Sequence, residues 1–245
     1  MNDRELLREV LDASALTPGT PGSQTAPLLL EKPVPPDAPI ISMPEPGLLP
    51  DIQVNFLEMV ELRASVRRYA DKAVSLKELS FLLWCTQGVK MAMPSGATMR
   101  NVPSAGARHA FATYLLLQRI EGLEPGLYRF LPLEHALCPM RTGAEVIKTF
   151  LPAFPAAPMV EASAATFLWC ADYARMADKY GARSLRYLFL DAGHICQNLY
   201  LAAQALRLGV CAVGAFYDQV LNDALGMDGN NDFAAYAATV GWPEI

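Results

Sequence analysis

Between Leu185 and Leu206 apolar residues recur at intervals of three and four, through Leu188, Ala192, Ile195, Leu199 and Ala202. That spacing predicts one long helix. Phe189, Cys196, Leu201 and Ala203 fill its other faces, so the helix is apolar nearly all round and has to be covered on several sides. A composition of 52% hydrophobic and only 18% charged residues over 245 positions suggests more buried surface than a monomer of this size normally has. An obligate homodimer is a natural way to supply it.

The remaining elements are punctuated by proline, glycine and caps. Ten of the nineteen prolines fall within residues 17–50, which forbids a continuous helix or central strand there. Residues 1–50 are therefore expected to be a Pro-rich N-terminal extension, carrying one short amphipathic helix through Leu6, Leu7, Val10 and Leu11, with the catalytic body over 51–245. Ser75 and Glu78 form a capping box ahead of Leu79, Leu82 and Leu83, and Gly88 ends that helix. Residues 91–106 read as a loop, 111–118 and 127–130 as strands joined by a turn, and 142–158 as a Pro-broken helical region. A buried strand is expected over 164–171. Gly209 is expected to cap the long helix, followed by residues 210–213, a helix over 218–225 ending at Gly226, and a last strand over 233–240. Strands interrupted by helices, with one hairpin, give an α+β sandwich around a mixed or antiparallel sheet.

The formal charge of −5 argues against a nucleic-acid footprint, which needs clustered Lys and Arg over a broad face. The five cysteines form no C-x-x-C pair and read as small buried hydrophobes in a reducing compartment. The three histidines are scattered, so a metal site has no support, and His194 reads as a satisfied core residue. The N-terminus lacks a basic segment followed by an apolar core, and no run of 18 uncharged apolar residues occurs. A cytoplasmic protein without membrane attachment is the expectation. Neither G-x-G-x-x-G nor a P-loop is present.

Four features could carry chemistry. Arg63, Ser65 and Arg67 place two guanidinium forks and a hydroxyl at alternate positions ahead of a helix, a donor set suited to phosphate, although such clusters are often solvated surface. Arg100 to Gly106 contains Pro103, Ser104, Ala105 and Gly106, small residues that let backbone approach a flat ligand or simply form a loop. Lys179 and Tyr180 precede the long helix and its Asp191-Ala-Gly-His194, where lysine and tyrosine can exchange protons or merely pack a helix end. Val213, Gly214 and Ala215 end a strand, where backbone amides could meet a heteroaromatic edge or turn into a helix.

In this order the motifs resemble the FMN-dependent nitroreductase superfamily, specifically its SagB-type dehydrogenase branch, which includes azoline oxidases. The resemblance spans about Glu61 to Pro243. It rests on R-x-S-x-R-x-Y at 63–69, L-x-x-L-L-W-x-T-x-G at 79–88, P-S-A-G at 103–106, P-G-L-Y at 125–128, K-Y-G at 179–181, D-A-G-H-x-x-Q-N-L at 191–199 and V-G-A-F at 213–216. It implies a three-layer sandwich with FMN at a homodimer interface and a long dimer helix. Arg63, Ser65 and Arg67 match the phosphate and ribityl contacts, Pro103 to Gly106 the loop from the other subunit, and Val213 to Ala215 the isoalloxazine edge. Lys179 and Tyr180 match the pair that handles protons in azoline-oxidising members. One departure is Trp242-Pro243 after Val240-Gly241, where relatives often carry a cation. The resemblance implies hydride transfer between flavin and a small organic or peptide-derived substrate. A general reductase fed by NADH or NADPH, or a flavoprotein subunit active only within a biosynthetic complex, remains an alternative.

Overall fold

A computed structural model describes residues 2–16, 30–48, 54–93 and 97–244. In chain order its elements are α1 (Asp3–Ala13), β1 (Ile41–Ser42), α2 (Phe56–Leu62), α3 (Leu76–Gln87), β2 (Val89–Ala92), β3 (Thr98–Arg100), β4 (Phe111–Leu117), β5 (Gly126–Leu131), β6 (Ala136–Thr142), α4 (Ala144–Phe150), α5 (Ala157–Ala162), β7 (Ala165–Asp172), α6 (Tyr173–Tyr180), α7 (Ser184–Ala205), β8 (Gly209–Val213), α8 (Asp218–Leu225) and β9 (Asp232–Gly241).

Seven strands pair in the order β1-β6-β5-β4-β7-β9-β8, every neighbouring pair antiparallel. Along β7 successive residues take opposite sides: Phe167 and Trp169 join a core with α3 and α7, while Leu168 and Cys170 join a second core with α4 and α8. Alternation buries both faces of the same strand. The result is an α+β sandwich of three layers, helices on both sides of the sheet. At α3 the expected box is present: Glu78 N–H donates to Ser75 Oγ at 3.2 Å, and Ser75 N–H donates to Glu78 Oε2 at 2.7 Å.

Three local expectations are corrected. The loop from residue 91 begins inside a hairpin, Val89 pairing with Arg100 and Ala92 with Thr98. Strand β6 was not foreseen, because Pro139 interrupts its pattern; proline is tolerated there because β1 covers only Leu137 and Ala136, leaving Pro139 on the free edge. Gly209 is not a cap, since the long helix ends at Ala205 and Gly209 opens β8. It is glycine for another reason: a Cβ there would stand 2.6 Å from Val66 Cβ.

Within the expected extension, residues 2–16 include α1, all of whose residues are exposed or half-exposed, while residues 30–48 lie on the body. Arg129 donates to the carbonyls of Lys32 and Pro33, and Ser80 Oγ donates to Pro44 O at 2.5 Å. The prolines at 18, 21, 27 and 50 fall outside the described residues.

Candidate functional site

The segment after α2 runs beside the free edge of β8. Ser65 bridges Val210 in parallel, and Val66 N–H donates to Val210 O at 2.8 Å. Ser65 Oγ lies 2.9 Å from Tyr200 Oη, which in turn accepts the Ala212 N–H at 2.8 Å. Because the amide already supplies that oxygen with a proton, the Tyr200 hydroxyl can donate to Ser65 and leave the serine proton free to point outward. The Arg63 guanidinium stacks 5.3 Å from the Tyr200 ring centroid, and Arg67 donates to Ser65 O at 3.4 Å. The Arg63 guanidinium and the Ser65 hydroxyl thus meet at one aromatic platform, with Arg67 held beside them through the Ser65 carbonyl. Val213 itself is buried in the second core, whereas Gly214 and Ala215 are exposed just past the strand end, so only backbone is offered there.

A second cluster forms around Asp191 of α7. Its carboxylate accepts Ser104 O–H at 2.6 Å and the Ala105 N–H at 3.1 Å, and Ser104 Oγ accepts the His109 N–H at 2.9 Å. Burial raises the Asp191 pKa, and the bonds from Ser104 and Ala105 oppose that rise. The loop beyond is tightly wound, with φ of 56° at Gly106, 53° at Ala107 and 44° at His109. Such backbone persists only where its surroundings fix it, and it clusters at functional sites. A Cβ on Gly106 would sit 2.4 Å from Tyr180 Oη and 2.6 Å from Lys179 Nζ. The loop therefore presses on the lysine–tyrosine pair, 73 positions further along the chain. Burial, then the neighbouring Tyr187, raises the Tyr180 pKa, so its phenol keeps its proton through neutral pH. Pro103 is exposed at the start of the loop.

Asp191 and Tyr200 both belong to α7. At about 1.5 Å per residue, nine positions separate the two clusters by about 13–14 Å along the helix. Within one chain, the 63–67 and 213–215 segments are neighbours, and the 103–106 loop joins Lys179 and Tyr180, but the two groups do not merge. Beside them, a cavity of about 570 Å³ opens between α2, α3 and α7, lined by Met59, Phe81, Trp84, Asn198 and Leu201. Sequence reasoning missed the anchoring roles of Asp191 and Tyr200. Asp191 lay inside a recognised motif, but only the fold shows that it holds the 104–105 backbone. His194, expected in the core, is exposed on the outer side of α7. Trp242 donates to Ala73 O at 3.0 Å, with Lys72 Nζ 3.5 Å from its ring centroid.

The sequence model of the nitroreductase family matches residues 60–242, which contain both clusters. The Methanocaldococcus jannaschii protein MJ1384, a nitroreductase by assignment, is 34% identical over 183 residues, 72% of this chain and 87% of its own length. The trifolitoxin-processing protein TfxB of Rhizobium leguminosarum bv. trifolii is 26% identical over 147 residues, 58% of this chain and 39% of its own. Among solved structures, an Anabaena variabilis protein assigned as a nitroreductase superposes with a TM-score of 0.79 at 25% identity, covering 100% of this chain and 48% of that one. This chain thus spans about half of the Anabaena protein. Fold alone is shared with two others: the E. coli microcin synthetase McbBCD complex with truncated pro-MccB17 bound (TM-score 0.62, 17% identity, 100% and 95% covered) and a Desulfovibrio desulfuricans protein assigned as a nitroreductase, in complex with FMN (0.54, 19%, 79% and 89%). The match across most of the sequence, together with the MJ1384 relationship, establishes that this chain belongs to the nitroreductase family.

Proposed function

We propose that the protein is an FMN-dependent oxidoreductase of the SagB-type dehydrogenase kind, working as a homodimer on a small organic or peptide-derived substrate. The observation that carries this reading is the division of the site along α7, with a phosphate-type donor cluster at Arg63–Ser65–Arg67 and a strained loop bearing on Lys179–Tyr180. Packing two copies along this helix lets the 103–106 loop of one chain face the 63–67 cluster of the other. The domain carrying both would be residues 51–245, with 1–50 as an extension that lends β1 to the sheet edge.

The donor set fits FMN. Two guanidiniums and a serine proton suit its phosphate, and the exposed Gly214–Ala215 backbone suits the edge of a flat ring. When bound, the flavin supplies hydride transfer, and the protein supplies orientation and electrostatics. Arg63, Ser65 and Arg67 bind, Val213 to Ala215 orient the ring through backbone, and Asp191 holds Ser104 and Ala105 in place. Tyr180, kept protonated by burial, donates a proton from Oη, and Lys179 exchanges one at Nζ. The FMN complex of the Desulfovibrio neighbour supports the cofactor, and the trifolitoxin-processing and microcin synthetase likenesses support the branch.

The visible spectrum of the purified protein tests the cofactor: we expect flavin absorption that bleaches on reduction. A colourless protein that takes up no FMN would sink the reading. Lys179→Ala and Tyr180→Phe should each keep FMN and lower turnover by roughly 10²-fold, the scale of a lost general acid or base. The relationship to MJ1384 favours a second reading, a general reductase using NADH or NADPH. Rapid oxidation of either nucleotide with nitroaromatic acceptors would select it.

A further inference from the structure

Behind the 103–106 loop a cavity of about 40 Å³ lies between β4, β5, the last residue of α3 and residues 30–32. A water needs about 10–15 Å³ of such space, so there is room for only a few small groups. Arg100, Arg129, Arg175 and Lys32 line it together with the carboxylates of Glu31 and Asp172, and Lys32 is also paired with Asp232.

Arg100 is 7% exposed and donates to two neutral oxygens, Gln87 Oε1 at 2.9 Å and Thr98 Oγ1 at 3.3 Å. Among the described residues it forms no ion pair. Burial, then the nearby charge of Arg175, pushes it down to about 10. Arg129 is 6% exposed; it donates to the carbonyls of Lys32 and Pro33, yet its Nε has no partner among the described residues. Gln87 Nε2 and Thr113 Oγ1, on side chains only 2% exposed, are likewise unpartnered. Asp172 stands 3.8 Å from Lys32, and Glu31 is 4.0 Å from Arg129. Waters could satisfy the orphaned donors but not the charge on Arg100, the buried guanidinium that forms no ion pair among the described residues, and a buried charge left unpaired is strongly destabilising.

We propose that this cavity binds a small monovalent inorganic anion of halide size, chloride in ordinary solution, between Arg100 and Arg129 with Gln87 and Thr113 donating to it. The ion joins the hairpin, the sheet and residues 30–32, and it sits beside His109, whose N–H steadies Ser104. This inference is independent of the flavin reading, because its readouts involve no flavin.

Two measurements test it. Crystals of the full chain soaked in bromide should show an anomalous peak within hydrogen-bonding distance of Arg100 and Arg129; a cavity holding only water at high bromide would overturn the proposal. In solution, replacing gluconate by chloride at constant ionic strength should raise the melting temperature by several degrees, since a ligand bound only to the folded state stabilises it. Gln87→Glu replaces the amide that donates to the anion by a carboxylate that pairs with Arg100 and repels the anion, and should abolish that rise; a chloride response equal to wild type would overturn the assignment. Should Gln87→Glu fail to fold, Thr113→Val removes one donor with little change of shape, and its chloride midpoint should move to higher concentration. An unchanged midpoint would count against the site.

Discussion

Tyr200 accepts the Ala212 N–H and bonds Ser65 through the same oxygen, while Arg63 stacks on its ring. Tyr200→Phe keeps the ring under Arg63 but orphans an amide and releases Ser65, and should cost about 1–3 kcal/mol of stability in urea denaturation. Under the proposed flavin reading, Arg63→Ala should weaken FMN binding by roughly 1.5–3 kcal/mol, read by flavin fluorescence, because it would lose a charge-assisted bond to phosphate. Equal affinity in variant and wild type would remove Arg63 from the site. His109 makes a prediction of a different kind. Burial, then Arg100, pushes its pKa from the ordinary 6.5 down to about 3. Its folded value lies below its unfolded one, so the stability it contributes is present above about pH 6.5 and is lost as pH falls towards 3, by up to about 1.4 kcal/mol per unit. His109→Gln should flatten the stability–pH slope in that window by about one proton, and an unchanged slope would show that the imidazole charges freely in the fold.

Single elements were legible in proportion to how local their causes are. Helix α3 could be delimited because its cap, its glycine and its apolar spacing all lie within fourteen residues; Ser75→Ala should destabilise the protein by about 1 kcal/mol. The hairpin of β2 and β3 and the strand β6 were not legible, since each is fixed by a partner strand and not by its own period. The 103–106 loop belongs to the same class. Its small residues were visible, but what makes it a structured loop is Asp191, 86 positions away, and the pressure of Gly106 on Lys179 and Tyr180. Asp191→Asn gives up the charge on the acceptor of Ser104 and Ala105. It should lower turnover in steady-state kinetics while leaving the affinity for FMN phosphate analogues near wild type. A loss confined to FMN affinity would place Asp191 with the other cluster.

Over the whole molecule, α7 is the helix on which the proposed homodimer would close. Its inward residues Leu188, Ala192, Ile195 and Leu199 are buried, yet Leu185, Phe189 and Leu190 are exposed in a single chain, Phe189 by 54%. For the proposed homodimer, Phe189→Glu should yield a folded monomer in analytical ultracentrifugation that no longer retains FMN; a variant dimer with full flavin content would move the interface elsewhere. Sequence alone determined the helix periods, the Ser75 cap and the α+β class, and singled out Arg63, Ser65 and Arg67 as candidate donors, because side-chain period and residue chemistry are written locally. Tertiary structure alone decided that Tyr200 joins Arg63 and Ser65, that Asp191 anchors the 104–105 backbone, and that Arg100 and Arg129 share one small buried cavity. Those pairings depend on strand order and on the turn of α7 at which each side chain emerges, and both are set by packing across residues far apart in the chain.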